Sequence, residues 1–197
     1  MTDKEEKENG IFPFIEGERI DLIAQSSKWI NLICRWNNDP RVRHYARWVM
    51  PTTPEQIKRW FEPPSGRGMR EAIFFTIYHK EDKRPIGSIG FFWINWINKN
   101  ANVSATIGEP EYWGKGIVGE AAKLLIKYGF NELNFHKICA GVFNPNKRSL
   151  RAAEKLGFKK ELVAREDLFV DGVYVDMHQF AIFKDEWLEQ NKSPMVK

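Results

Sequence analysis

The segment Trp113-Gly114-Lys115-Gly116-Ile117-Val118-Gly119 constrains the fold more than any other part of the chain. It follows a strand-like stretch, Ala101 to Ile107, and opens a helical pattern carried by Ala121, Ala122, Leu124, Leu125, Tyr128 and Phe130. A strand that passes into a helix through such a turn leaves several backbone N–H groups unpaired at the positive end of the helix dipole. Glycine lets oxygen atoms approach the backbone closely and Lys115 adds a cation, so the natural guest is a pyrophosphate. An ordinary glycine-rich turn fits so short a motif equally well. Two familiar phosphate loops fit less well. A P-loop requires Lys-Ser or Lys-Thr after its last glycine, whereas Gly119 is followed by Glu120-Ala121. A dinucleotide fingerprint follows the first strand of a parallel sheet, whereas this turn follows an antiparallel hairpin, although Gly114 to Gly119 satisfy its bare spacing.

The hairpin is read from Ile86–Asn95 and Ala101–Ile107, joined by the polar turn Asn98-Lys99-Asn100. Upstream, Arg19 to Ala24 alternates like a half-buried strand, and Gln25-Ser26-Ser27 caps a helix over 28–36 that Asn37-Asn38-Asp39-Pro40 stops. A second helix follows Thr53-Pro54 with Ile57, Trp60 and Phe61 as its apolar stripe, and Pro63 to Gly68 is a loop by composition. A strand over 72–78 comes before the hairpin. Downstream stand a strand from Lys137 to Phe143, a helix from Ser149 to Leu156 closed by Gly157, two strands around Asp171-Gly172, and a helical turn from Asp185 to Gln190. This order predicts an α/β or α+β fold in which the strand–helix–strand unit over 101–142 is right-handed with parallel strands.

With 197 residues, 43% of them hydrophobic and 14% aromatic, the chain has material for one core, so a tail over 1–14 and a single domain over 15–192 are expected. Its 30 Lys and Arg are interspersed with 26 Asp and Glu, and a net charge of +4 suits a phosphorylated ligand as well as a nucleic acid. Arg35, Arg41, Arg43, Arg47 and several tryptophans could line a nucleic-acid surface, but the balanced charge and the lack of a recognised motif point to no nucleic-acid partner. Cys34 and Cys139, far apart and in apolar contexts, read as reduced thiols. The charged N-terminus lacks the apolar region of a secretory signal, and the stretch from Ile86 to Ile97 is shorter than the roughly 20 residues a bilayer span needs. A soluble, cytoplasmic protein with no membrane partner is expected. His44, His79, His136 and His178 are dispersed without ligand-like spacing, so no metal is expected.

A second segment makes the reading specific. Tyr112 to Ala121 is followed about 25 residues on by a strand, then by Asn146-Lys147-Arg148-Ser149 and Glu154-Lys155-Leu156-Gly157-Phe158. The pair of motifs resembles the GCN5-related N-acetyltransferases, and most of all the branch holding the ribosomal-protein N-terminal alanine and serine acetyltransferases and the spermidine acetyltransferases. The similarity runs from Ile15 to about Glu189 and includes Trp36 to Pro40. It implies a mixed, mostly antiparallel sheet of six to seven strands, splayed between strands four and five and flanked by about four helices. Acetyl-CoA would be the co-substrate. The backbone N–H groups of Gly114, Lys115, Gly116, Val118 and Gly119 would hold its pyrophosphate, with Trp113 and Ile117 in the same turn. Asn146 would contact the pantetheine arm, and a backbone N–H at Ile107 or Gly108 would meet the thioester carbonyl. The family often has Gln or Arg where this chain has Trp113, and Gly or Ala at Val118.

Acetyl transfer to an amine needs a neutral nucleophile, a polarised carbonyl and a proton for the departing thiolate. Glu109, just past the strand, is the candidate proton acceptor, directly or through water, with Glu111 second; a solvated loop carboxylate fits both positions. Ser149 is the candidate donor to the thiolate and is equally placed as an N-cap. Spermidine acetyltransferases of this branch commonly carry a Tyr where this chain has Ala153, which favours a Ser-centred arrangement like that of the N-terminal acetyltransferases. Tyr174 is a possible substitute from the last hairpin. The acceptor would meet Arg41, Arg43, His44, Tyr45, Arg47 and Trp48 with the loop around Arg67 to Arg70, a basic lining that suits a protein or peptide N-terminus, an amino acid or an acidic substrate. The alternatives are a polyamine or other small amine, a CoA-binding protein without turnover, and a nucleic-acid module. Phe91, Phe92, Trp93 and Trp96 fit a homodimer interface or a monomer's core.

Overall fold

The computed structural model describes residues 11–61 and 69–191. The first ten residues of the tail expected over 1–14 and the loop from Pro63 to Gly68 lie outside them. Among the described residues eight strands hydrogen-bond in the order β1-β2-β3-β4-β5-β6-β8-β7, one or two more than expected, and contacts divide the chain into two compact units. Each unit is described in turn; β4, β5 and α4 pass from one to the other.

The first unit takes Met1–Gly90 and Ala105–Leu124. It holds β1 (Pro13–Glu16), β2 (Ile20–Ala24), α1 (Ile30–Asn38), α2 (Pro40–Ala46), α3 (Pro54–Trp60), β3 (Ile73–His79), the first half of β4 (Arg84–Asn95), the end of β5 (Asn100–Ile107) and the start of α4 (Ile117–Asn131). The extra strand is β1, which pairs antiparallel with β2 from Pro13, inside the stretch expected to be tail. A strand so short escapes a pattern search because alternation needs more positions to show. β2 pairs antiparallel with β3 from Ile20↔His79 to Ala24↔Phe75. Ile20, Leu22, Ile57, Ile77, Ile86 and Ile89 are fully buried. The helix α2 was not expected. Asp39-Pro40 ends α1 and also starts α2: the Asp39 side chain accepts from the Arg41 N–H, and Pro40 stands where a helix needs no N–H. Thr53 and Gln56 form a reciprocal capping box on α3.

The second unit takes Phe91–Ser104 and Leu125–Lys197. It holds the rest of β4, β5 and α4, then β6 (Lys137–Phe143), α5 (Lys147–Lys155), β7 (Lys159–Val170), β8 (Val173–Phe183) and α6 (Lys184–Gln190). β5 and β6 are parallel, as expected, and their ladder covers only Asn100–Asn102 against Lys137–Cys139. β8 pairs antiparallel with both β6 and β7. Asp171 and Gly172 both adopt positive φ, 51° and 86°, as a type I′ hairpin turn demands. Phe91, Leu125, Ile126, Phe130, Phe135 and Ile138 form its buried core, with Phe91 edge-on to Phe135 at 5.1 Å between ring centres. Phe91 is therefore core, whereas Trp93 is 74% exposed. Cys34 and Cys139 are both free thiols. No helix among the described residues is long and apolar enough to cross a membrane.

Phe91→Ala should cost about 3–5 kcal/mol, because it removes a fully buried ring and the edge it offers Phe135. Chemical denaturation checks this, and a loss below 1 kcal/mol would contradict the packing described.

Candidate active site

The site is built around the end of β5. The N–H of Gly108 donates to the carbonyl of Ile86 on β4 at 2.9 Å, so it is already committed. Successive N–H groups along an antiparallel strand point to opposite edges, which turns the N–H and carbonyl of Ile107 away from β4. Of the two donors left open by the sequence, the Gly108 N–H is thus taken by β4 and the Ile107 N–H faces the opposite edge. The Ile107 carbonyl accepts from the Trp113 indole N–H at 2.9 Å. Trp113, out of pattern for the family, thus satisfies the strand's last outward carbonyl. Gly108 is glycine for a steric reason: a Cβ would run into the Trp36 ring from α1.

Glu109 follows immediately and is buried, 6% exposed. Its Oε1 accepts from the Trp36 indole N–H at 2.8 Å and pairs with Arg35; its Oε2 lies 2.9 Å from Arg84 Nη2. Burial pushes the Glu109 carboxyl up, but the Trp36 N–H and the Arg35 and Arg84 guanidiniums outweigh it and hold the group below its ordinary value. Glu111 is exposed, 3.8 Å from Arg84. Sequence reasoning singled out Glu109 but missed Arg84 and the role of Trp36, which become neighbours only when α1 and β4 are in place.

Tyr112 closes a 3₁₀ turn, Pro110–Tyr112, that leads to the glycine-rich segment. Its hydroxyl donates to Asp82; burial and that carboxylate push its pKa up to about 12, so it stays protonated as an anchor. Gly114 and Gly116 adopt φ of 77° and 78°, the left-handed region that favours glycine. A Cβ on Gly114 or Gly119 would meet nothing within 4 Å, and on Gly116 only the tip of Arg19 at 3.7 Å. Packing does not explain glycine at 119, which leaves open space beside the first turn of α4. Arg19, which sequence reasoning missed, braces the turn. Its guanidinium donates to the Lys115 carbonyl at 2.9 Å and pairs with Glu120 at 2.8 Å, while Glu120 Oε1 accepts from the Arg19 N–H at 2.8 Å. The backbone donors, Lys115 and Arg19 fit a pyrophosphate, so Gly114 to Gly119 are residues that would hold CoA.

Asn146 and Ser149 belong to the second unit. The N-cap of α5 is Asn146, whose Oδ1 accepts from the Ser149 N–H at 3.2 Å. Ser149 is the third residue of the helix, so its hydroxyl is not the cap, correcting that reading. Ala153 is buried. Tyr174 is 66% exposed, with its ring 5.2 Å from Phe169. In the first unit, Arg43, His44 and Tyr45 lie in α2 and Trp48 just beyond it, its N–H donating to the Arg43 carbonyl at 3.2 Å. Tyr45 stands edge-on to Trp113 at 6.1 Å and to His44 at 4.8 Å, which brings two of the acceptor candidates to the end of β5. Arg67 lies outside the described residues. No cluster of three metal-ligating side chains occurs among the described residues.

Residues 22–159 match the model of the acetyltransferase (GNAT) domain, and the chain belongs to that family. It is an acetyl-CoA-dependent N-acetyltransferase. Spermidine N(1)-acetyltransferase of Escherichia coli (strain K12) is 33% identical over 167 residues, covering 79% of this chain and 89% of that protein. A putative ribosomal N-acetyltransferase of Bacillus subtilis (strain 168) is 35% identical over 103 residues, 51% of this chain and 55% of its own. Among solved structures, a spermidine N-acetyltransferase from Vibrio cholerae in complex with CoA and spermine superimposes with a TM-score of 0.78 at 24% identity, covering 86% of this chain and 98% of that one.

A carboxyl whose pKa is lowered on folding stabilises the native state above its unfolded pKa, about 4.3, and that contribution disappears as pH falls through the folded value. Glu109→Gln should therefore flatten the fall of stability below about pH 4.3. Denaturant midpoints measured across that range check it, and an unchanged slope would mean that the pairing is not formed in solution.

Proposed function

We propose that the protein transfers the acetyl group of acetyl-CoA to the N-terminal amine of a protein or peptide. The observation that carries the acceptor class is the pairing of carboxylates in the first unit: Glu109 with Arg35 and Arg84, Glu111 with Arg84, and Asp39 with Arg41 at 2.7 Å. A polycation needs carboxylates to receive it, and these already hold arginines. The buried Ala153, where spermidine acetyltransferases of this branch commonly carry Tyr, supports the same reading. A polyamine acceptor is the second reading, favoured at least as directly by the relative named spermidine N(1)-acetyltransferase.

Acetyl-CoA, when bound, supplies a thioester-activated acyl group. Within the first unit, backbone N–H groups of Gly114, Lys115, Gly116, Ile117, Val118 and Gly119 would hold its pyrophosphate, and the Ile107 N–H would donate to its acyl oxygen. Within the second unit, the family resemblance would give Asn146, through its remaining amide hydrogens, the pantetheine arm, and would make the Ser149 hydroxyl the donor to the departing thiolate, regaining its proton from solvent. Arg43, His44, Tyr45 and Trp48 receive the acceptor. Glu109 takes a revised role. A carboxylate held below its ordinary pKa is a weak proton acceptor, so we assign it to positioning Trp36, Arg35 and Arg84 around the Ile107–Gly108 peptide. The amine loses its proton to water, helped by guanidiniums that disfavour a further positive charge.

Acetyl-CoA at 100 times its dissociation constant should add about 2.7 kcal/mol of stability. Gly119→Leu should leave the free protein as stable or more so, since leucine favours helix by up to about 1 kcal/mol over glycine and meets open space, yet it should abolish the ligand-induced shift. Thermal unfolding reads both effects, and a shift that survives in the variant would remove Gly119 from the cradle. In steady-state kinetics, Glu109→Gln should keep kcat within about tenfold with its pH profile in place, whereas a loss of 10²–10⁴ would restore Glu109 as the proton acceptor.

A further inference from the structure

The arginine pairs of the first unit are arranged in depth as well as in charge. Arg35 is 61% exposed and Arg84 42%, over a Glu109 side chain that is 8% exposed. Arg41, 66% exposed, covers Asp39 at 19%. In these three pairs the carboxylate lies underneath and the guanidinium faces outward, whereas Glu111, 53% exposed and 3.8 Å from Arg84, reaches solvent beside them; the outward guanidiniums outnumber that one carboxylate, so the surface presents mostly donors to solvent. Arg43, also exposed, extends it along α2. The guanidinium of Arg41 feels the fields of Glu111 and Glu109 as well as that of Asp39, which places it in the same neighbourhood.

This surface adjoins the reacting position. Glu109 is two residues from Ile107, about 7 Å of extended chain, and Arg35 and Arg84 sit on its two oxygens. An amine at the Ile107 N–H would have the guanidiniums within the reach of one or two residues of its own chain. Guanidinium groups recognise carboxylates with paired N–H donors, and each retains donors beyond those its partner here uses.

Resting on the reading of a peptide N-terminus as acceptor, we propose that the preferred acceptor is an acidic one, with Asp or Glu at its second position. The carboxylate anchors on the outward guanidiniums, while the same positive field favours the neutral form of the amine that must attack. The arrangement excludes as well as attracts. A lysine at the same position of the peptide would meet like charge, so discrimination comes from both sides of the comparison.

The test uses the full chain with acetyl-CoA and three peptides alike except at the second residue, Ser-Glu, Ser-Gln and Ser-Lys, with spermidine beside them, following thiol release. The expected result is a kcat/KM for the Ser-Glu peptide at least tenfold above the other two, with an advantage that shrinks as salt rises from low to physiological strength. Arg41→Gln should cut the ratio of Ser-Glu to Ser-Gln several-fold; because the ratio is taken within one enzyme preparation, partial loss of folded protein does not affect it. Equal turnover of the three peptides, a preference for Ser-Lys, or a ratio indifferent to both salt and Arg41→Gln overturns the acidic preference while leaving the peptide reading intact. Turnover of spermidine with no peptide acetylated, or of nothing offered, overturns both.

Discussion

The buried carboxylate of Glu109 is the interaction around which the first unit is organised. One oxygen holds the Trp36 indole N–H at 2.8 Å and the other Arg84 at 2.9 Å, with Arg35 on the first. Helix α1 and strand β4 are thereby fastened to the end of β5 at the residue after Gly108. Burying an ion is costly unless it is fully paired, and here every added partner is also a group that shapes the surroundings of Ile107. The glycine at 108 follows from the same bond, because the indole that reaches Glu109 lies over the backbone and leaves no room for a Cβ. Trp113 completes the arrangement from the other direction by taking the Ile107 carbonyl. What remains outward at that residue is the N–H.

Much of this was legible in the chain, and the limits have physical causes. The order of strands and helices followed from alternation, from caps such as Thr53-Pro54 and from the Asp171-Gly172 turn, all of them local signals. The strand β1 and the helix α2 were not legible: the first is four residues long, and the second is hidden by an Asp-Pro pair that stops one helix while starting the next. In the candidate site, the glycine-rich turn was legible as a turn because its left-handed backbone at Gly114 and Gly116 leaves glycines in the sequence. Glu109 was legible as a carboxylate at a strand end, but its ionic partners were not. Arg35 and Arg84 are 74 and 25 positions away from it along the chain, and nothing in their local sequence marks them.

The same difference separates Asn146 from Ser149. A short polar residue ahead of a helix always competes for the capping role, and spacing alone gave it to Ser149. The hydrogen bond gives it to Asn146 and so starts the helix two residues earlier than expected, at Lys147. The hydroxyl of Ser149 is released from capping, while the amide of Asn146 holds the helix with its oxygen and keeps its hydrogens.

The brace between Arg19 and the turn at Lys115 has a consequence for the order of assembly. The two residues are 96 positions apart, and Arg19 and Glu120 are 101 apart. Contacts of such separation close large loops, are made slowly, and tend to come late in folding. During synthesis the bend between β1 and β2 that carries Arg19 leaves the ribosome well before the glycine-rich turn it supports exists. The brace is therefore among the last contacts of the first unit to form, and any ligand that binds the turn only once it is braced would add its binding energy to that late step.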